Sequence, residues 1–63
     1  MTVGSEIKSI RKHNNLTQQE FSEKICVSRS FVSKIENGKE QPSGTLIRLI
    51  SYAFNVDEKK LIK

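Results

Sequence analysis

Residues 17–36 read TQQEFSEKICVSRSFVSKIE, and this stretch decides the fold. Thr17 and Glu20 have the spacing of a capping box, in which the threonine hydroxyl accepts a hydrogen bond from the Glu20 N–H and the glutamate reaches back to the Thr17 N–H. Phe21 and Ile25 follow four residues apart, so they lie on one face of a helix. The pattern predicts that the second helix of the chain begins just after Thr17.

A third helix follows almost at once, because Ser28 is a good N-cap and Val32 and Ile35 form an apolar edge behind it. Only the segment Cys26–Ser28 lies between the second helix and the third. A connection this short forces the steep crossing of a helix-turn-helix. The motif is therefore predicted to span about residues 17–36.

A first helix is predicted ahead of this motif. Val3, Ile7 and Ile10 recur at helical spacing, which favours a helix from Val3 to His13. Asn14-Asn15 ends it, because asparagine favours turns and the left-handed conformation.

The sequence after the motif predicts two more helices. Asn37-Gly38 stops the third helix, Ser43 caps a fourth and Asn55 ends it in the left-handed region. Asp57 caps a short fifth helix. The apolar residues of these last two helices are Ile47, Ile50, Phe54, Leu61 and Ile62. The chain is therefore predicted to be all-α, a compact five-helix single domain over residues 1–63 without strands.

The composition restricts the function. With 11 basic and 7 acidic residues the net charge is +4, and this excess favours a polyanionic partner such as nucleic acid. Cys26 is the only cysteine and His13 the only histidine, so we expect no disulfide, metal, cofactor or small-molecule site, and no enzyme. No apolar run approaches the ~20 residues of a membrane span, and the N-terminus lacks a signal-peptide core, so we expect a cytoplasmic protein without membrane contact.

The outward face of the predicted third helix suits DNA. It consists of Arg29, Ser30, Ser33 and Lys34. No acidic residue of this helix precedes Glu36. A helix fits the major groove of double-stranded DNA, where such hydrogen-bonding side chains can contact base edges. The face therefore indicates double-stranded DNA as the partner, and plain solubilising charge is the alternative.

Short motifs along the chain carry a family resemblance. LTQQEFS at residues 16–22 resembles the LTQxELA opening of the Cro/repressor-type (XRE-type) helix-turn-helix family. VSRS at 27–30 and IENGK at 35–39 resemble its VSxS and IExGK segments. Pro42-Ser43 and FNV at 54–56 match its fourth helix and the turn after it. The resemblance covers nearly the whole chain and implies a DNA-binding domain of the phage-repressor-like type.

The resemblance also implies a role for each matching position. Four side chains of the third helix would face base edges: Arg29, Ser30, Ser33 and Lys34. Arg29 is the best candidate for bidentate recognition of guanine. Five residues would contact phosphates: Gln18, Ser28, Asn37, Lys39 and Ser43. Gln18 would also brace the third helix, and Arg11 and Glu36 would form a largely buried structural ion pair.

Four positions depart from the family pattern. Cys26 stands in the turn where the family usually has glycine, often with a positive φ, at a cost of about 1 kcal/mol. Ser22 replaces alanine at the helix crossing but keeps its small size. Gly44 replaces an apolar residue and would loosen the start of the fourth helix. Phe31 is expected to pack, with a thymine-methyl contact as the alternative.

Two hypotheses for the function follow. The first is a sequence-specific transcriptional regulator, most simply a repressor, that binds as a homodimer to a two-fold operator with half-sites about 34 Å apart. The second is an antitoxin-like or coactivator-like protein-interaction module that uses Leu49 and Tyr52 of the fourth helix. Leu49 itself has two interpretations, extra cover for the core or a self-association patch.

Overall fold

The computed structural model describes residues 3–61. In this range the chain forms four α-helices followed by one 3-10 turn. The helices are α1 (Val3–His13), α2 (Gln18–Lys24), α3 (Arg29–Glu36) and α4 (Gly44–Phe54), and the 3-10 turn is Glu58–Lys60. No strand occurs between residues 3 and 61. The all-α class and the order of the helices agree with the sequence prediction.

The prediction of five helices is not confirmed, because the last element is a 3-10 turn of three residues. Asp57 does cap it, since its carboxylate accepts the Lys59 N–H at 3.0 Å. The Leu61 N–H then donates to the Glu58 carbonyl at 2.8 Å, which is the i to i+3 closure of a 3-10 turn. The turn brings Leu61 into the core at 0% exposure. Ile62, predicted on the same helix, lies outside the described residues.

Side-chain caps start three of the helices, as predicted. The capping box of α2 is complete, with the Glu20 N–H donating to Thr17 Oγ1 at 3.1 Å and the Thr17 N–H donating to Glu20 Oε1 at 2.9 Å. Ser28 and Ser43 each accept the N–H of the third residue of their helix at 3.1 Å. Asn55 ends α4 in the left-handed conformation, with φ 55°. These local contacts fix where each helix begins and ends.

The α-helices share one apolar core. Its buried members are Ile7, Ile10, Phe21, Ile25, Val32, Ile35, Leu46, Ile47, Ile50 and Leu61. Phe21 of α2 is fully buried and stacks on Phe54 of α4, with ring centroids 5.0 Å apart. Full burial of a side chain of this size contributes about 1.5–3 kcal/mol. Helix α3 enters the core through Val32 and Ile35, which leaves its opposite face to solvent.

The turn between α2 and α3 sets the crossing of these helices. Cys26 has φ 61°, so the predicted positive φ at this position is confirmed. The Val27 N–H donates to the Ser22 carbonyl at 3.0 Å and closes the end of α2. Ser22 is 1% exposed, and its hydroxyl donates to the Gln19 carbonyl at 2.7 Å. Its small, satisfied side chain lets the two helices pack closely.

Candidate nucleic-acid interface

Helix α3 presents a polar face to solvent. This face consists of the four residues predicted to contact bases: Arg29, Ser30, Ser33 and Lys34. All are exposed except Ser33, which is partly buried. Phe31 is half-buried and packs against the core, as expected from the sequence. The structure therefore brings the four side chains together on one accessible helix face.

Glu36 is the only acidic residue of α3, and it is paired with Arg11 of α1. Arg11 Nε donates to Glu36 Oε2 at 2.8 Å, and Nη2 donates to Oε1 at 3.1 Å. The two side chains are 12% and 3% exposed, respectively. Arg11 Nη1 donates to the Leu16 carbonyl at 2.9 Å, so the guanidinium is held on both sides. The ion pair implied by the family resemblance is present, and it leaves the outward face of α3 basic.

Gln18 reaches the same carboxylate from the start of α2. Its Nε2 donates to Glu36 Oε1 at 3.1 Å. Glu36 belongs to α3 and accepts hydrogen bonds from both α1 and α2, so one carboxylate ties three helices together. This bond accounts for a bracing role of Gln18, and its phosphate contact stays a prediction.

The other residues predicted to contact phosphates lie at the ends of α3 and at the start of α4. Ser28 and Ser43 use their oxygens as N-cap acceptors, which leaves each hydroxyl hydrogen free to be donated. Asn37 follows α3 as its C-cap, and its Nδ2 donates to a serine hydroxyl of that helix at 3.4 Å. The Lys39 N–H donates to the Lys34 carbonyl at 2.8 Å, so this loop folds back over the last turn of α3. Their contacts with DNA stay predictions.

Gly4 is a residue of this region that the sequence interpretation missed. It is buried in α1, and a Cβ built on it would overlap the backbone carbonyl oxygen of Ile35. The first turn of α1 therefore lies directly against the last turn of α3. A signal was available, because Gly4, Ile7 and Arg11 have the i, i+3, i+7 spacing of a single helix face, and a glycine on such a face indicates close packing.

Helix α4 exposes apolar surface. Leu49 is 38% exposed and Tyr52 is 88% exposed. With Thr45 and Arg48 they line a shallow apolar groove on the outside of the helix, which we call the α4 groove. Because Leu49 is 38% exposed, covering the core accounts for only part of its surface.

Metal sites, membrane-spanning helices and reactive thiols are the other features that could indicate a function. Between residues 3 and 61, no cluster of His, Cys, Asp and Glu could hold a metal ion. None of the helices in that range has the length and apolar character needed to cross a membrane. Cys26 carries an exposed free thiol. Surface hydrogen bonding, positive charge and apolar contact are what these residues can provide to a partner.

Comparison with known proteins gives a consistent result. The sequence model of the helix-turn-helix family matches residues 7–61. The chain is 44% identical over 54 residues to the antitoxin PezA of Streptococcus pneumoniae, a match that covers 86% of this chain and 34% of PezA. It is 36% identical over 62 residues to the immunity repressor protein of Bacillus phage phi105, covering 98% of this chain and 43% of that repressor. The chain thus spans less than half the length of these relatives.

Solved structures share the fold. The P22 c2 repressor, in complex with a synthetic operator, is similar with a TM-score of 0.90 and 24% identity, covering 100% of this chain and 96% of that one. SinR, a master regulator for biofilm formation in complex with DNA, is similar with a TM-score of 0.87 and 28% identity, covering 98% and 100%. The arrangement of α1 to α4 is therefore phage-repressor-like. The chain belongs to the Cro/repressor-type (XRE-type) helix-turn-helix family.

Proposed function

We propose that this chain is the DNA-binding domain of a sequence-specific transcriptional regulator, most simply a repressor, that acts in the cytoplasm. Its family consists of DNA-binding regulators rather than enzymes. The observation that supports the proposal most is that Glu36, the acidic residue of α3, is paired with Arg11 and only 3% exposed. What α3 then exposes is cationic and hydrogen-bonding, which suits the base edges and phosphates of the major groove.

Arg29 would be the main base-contacting residue. It is the first residue of α3 and is exposed, and the N-terminal residues of a recognition helix are the ones that contact base edges. A bidentate bond from arginine to guanine O6 and N7 is worth about 1–3 kcal/mol of discrimination. Ser30, Ser33 and Lys34 lie on the same face and would complete the set.

Phosphate contacts would fix the position of α3 in the groove. The proposed residues are Gln18, Ser28, Asn37, Lys39 and Ser43. Ser43 caps an α4 helix of 11 residues, whose first N–H groups and positive dipole end attract a phosphate. Lys39 is exposed in the loop that folds back over α3, where its charge would neutralise a phosphate and release counterions.

We further infer that two copies bind a two-fold operator, with half-sites about 34 Å apart. Exposure of Leu49 and Tyr52 supports this pairing, because a symmetric dimer buries the same apolar patch on each copy. The α4 groove is small, so the pairing would be weak in free solution and would be completed on DNA.

Selection of bound sequences from random DNA tests the proposal. The chain should enrich a two-fold sequence and prefer it over random DNA by about 10³-fold or more at physiological salt. Arg29→Ala should weaken binding by about 1–3 kcal/mol and relax the preference at one base pair of each half-site. Lys59→Ala is the control, because it removes one positive charge from the exposed 3-10 turn. Equal, weak binding to all sequences, unchanged by Arg29→Ala, would refute the proposal.

A protein-interaction module is the second candidate function. The apolar α4 groove favours it, and the similar PezA is named an antitoxin. In that case Leu49→Asp should abolish a stable complex with a partner protein and leave the DNA affinity of the domain intact. Ser9→Asp, which adds the same charge to the exposed side of α1, is the matched control. Sedimentation of the chain alone distinguishes binding to a partner protein from self-association. A dimer of the chain that is lost on Leu49→Asp supports self-association.

A further inference from the structure

Gly4 lies where α1 meets the C-terminal end of the recognition helix α3. A Cβ on Gly4 would overlap the Ile35 carbonyl oxygen and lie 3.2 Å from the Glu36 carbonyl oxygen. Both neighbours are backbone atoms, which cannot rotate aside as the end of a flexible side chain can. The missing side chain therefore sets how near the two helices can lie.

Gly4 is one end of a stripe on α1 that faces α3. Ile7 and Arg11 follow at i+3 and i+7, on the same side of the helix. Ile7 is 1% exposed, and Arg11 is paired with Glu36. The last turn of α3 is thus held by α1 at two levels, by backbone contact at Gly4 and by the ion pair at Arg11.

Such a contact controls the tilt of α3. The helix has eight residues, which makes it about 12 Å long. A backbone displacement of about 1 Å at its C-terminal end, with the other end held by the Cys26 turn, rotates it by about 5°. Side chains on the outward face then move by a large part of the range over which a hydrogen bond persists.

We propose that Gly4 is a positioning residue for base recognition, because its lack of a side chain lets α1 hold α3 at the tilt that base contacts require. The inference rests on the proposed DNA-binding function and extends it to a residue on a helix that carries none of the proposed DNA contacts. It predicts that a single methyl group, added far from the outward face of α3, changes sequence preference.

Gly4→Ala is compared with Ser9→Ala, which also places alanine on α1 but on an exposed position. Folding is checked by circular dichroism at 10 °C. Affinity is then measured for the selected operator and for a random duplex across a range of salt. Gly4→Ala should lose about tenfold or more of the operator preference, with non-specific affinity and salt dependence unchanged. Ser9→Ala should keep both.

A second measurement needs no DNA. Residual dipolar couplings of the free proteins report the orientation of α3 relative to α2, and Gly4→Ala alone should change it. Unchanged couplings, or an unchanged operator preference in folded Gly4→Ala, would overturn the inference. If the wild-type chain shows no sequence preference, the proposed function fails, and the couplings still decide whether Gly4 sets the tilt.

If Gly4→Ala does not fold, a variant at the second contact between α1 and α3, the Arg11–Glu36 ion pair, takes its place. Arg11→Lys keeps the positive charge beside Glu36 but cannot form the bidentate pair. It should lower the operator preference and alter the couplings of α3. Full retention of both in folded Arg11→Lys would overturn the inference.

Discussion

Helices α3 and α4 begin alike and are held differently. Each starts at a serine whose hydroxyl accepts a backbone N–H at 3.1 Å. The far end of α3 is held by polar contacts in addition to the burial of Ile35, because Glu36 accepts hydrogen bonds from Arg11 and Gln18. Helix α4 is held by apolar burial, with Ile50 at 0% exposure among its buried residues.

The difference separates orientation from stability. Hydrogen bonds weaken steeply when their angle changes, whereas the hydrophobic effect has no direction. A recognition helix must present its side chains at a defined angle, and directional contacts at its end provide that angle. Helix α4 presents Leu49 and Tyr52, whose apolar surface makes fewer demands on orientation. The comparison therefore makes two predictions. Loss of the hydrogen bonds among Arg11, Gln18 and Glu36, here called the polar network, should change both stability and sequence preference. Loss of buried apolar surface on α4 should change stability alone.

The largest effect is expected from Glu36→Ala. It leaves the Arg11 guanidinium, whose side chain is 12% exposed, without its anionic partner. Removing one member of a buried pair costs about 3–5 kcal/mol, most of what a chain of this size has. Urea denaturation should show the variant partly or wholly unfolded at 25 °C, and operator binding should fall with it.

Glu40→Ala is the matched control for this change, since Glu40 is exposed after α3. It should stay within about 0.5 kcal/mol of wild type. A Glu36→Ala variant as stable as Glu40→Ala would contradict the view that α3 depends on the polar network.

These helices also show what the sequence could and could not predict. The caps at Thr17, Ser28 and Ser43 depend on residues close in the chain, so the spacing of residue types was enough to find them. The positive φ of Cys26 followed from the family resemblance. The ion pair between Arg11 and Glu36 followed only from the family resemblance, since its partners are 25 residues apart.

Two further contacts depend on how the helices pack. The resemblance implied that Gln18 braces α3 without naming Glu36 as its partner, and the contact of Gly4 was missed. The bond from Gln18 to Glu36 joins residues 18 apart in sequence, and the contact of Gly4 with Ile35 exists only once α1 and α3 are packed. Neither has a signature in the local pattern that fixes its partner. The prediction of a fifth helix is not confirmed for a related reason, because a 3-10 turn of three residues already precedes a fully buried Leu61.

The second-largest effect is expected at the serine N-caps of α3 and α4. Ser28→Ala and Ser43→Ala each remove one N-cap acceptor and should each lower the free energy of unfolding by about 0.5–2 kcal/mol. Thermal unfolding at one pH measures both. Ser30→Ala, on the exposed face of α3, is the control and should change stability little. A near-zero effect at Ser28 alone would mean that the Cys26 turn, and not the cap, starts α3.

The third effect tests α4 alone. Ile50→Val removes one methylene from a fully buried side chain and should cost about 0.5–1.5 kcal/mol. Because α4 contributes buried apolar side chains to the core, the ratio of operator to random-DNA affinity should equal that of wild type. That ratio is measured by fluorescence anisotropy at a temperature where both proteins are folded. A changed ratio would show that core packing, as well as the polar network, sets the orientation of α3.

The smallest expected effect is an increase in stability. It comes from a comparison of the glycines of α1 and α4. Gly44 begins α4, and a Cβ built on it meets no atom within 4 Å. Gly44→Ala should therefore raise the free energy of unfolding by about 0.4–1 kcal/mol, because alanine restricts the unfolded chain without a clash in the folded one. Calorimetry should show Tm higher by roughly 2–8 °C. Gly4→Ala adds the same methyl group against the Ile35 carbonyl and should be destabilised in the same assay. A lower Tm for Gly44→Ala would mean that the start of α4 is as tightly enclosed as the end of α3, and the contrast between the two helices would no longer hold.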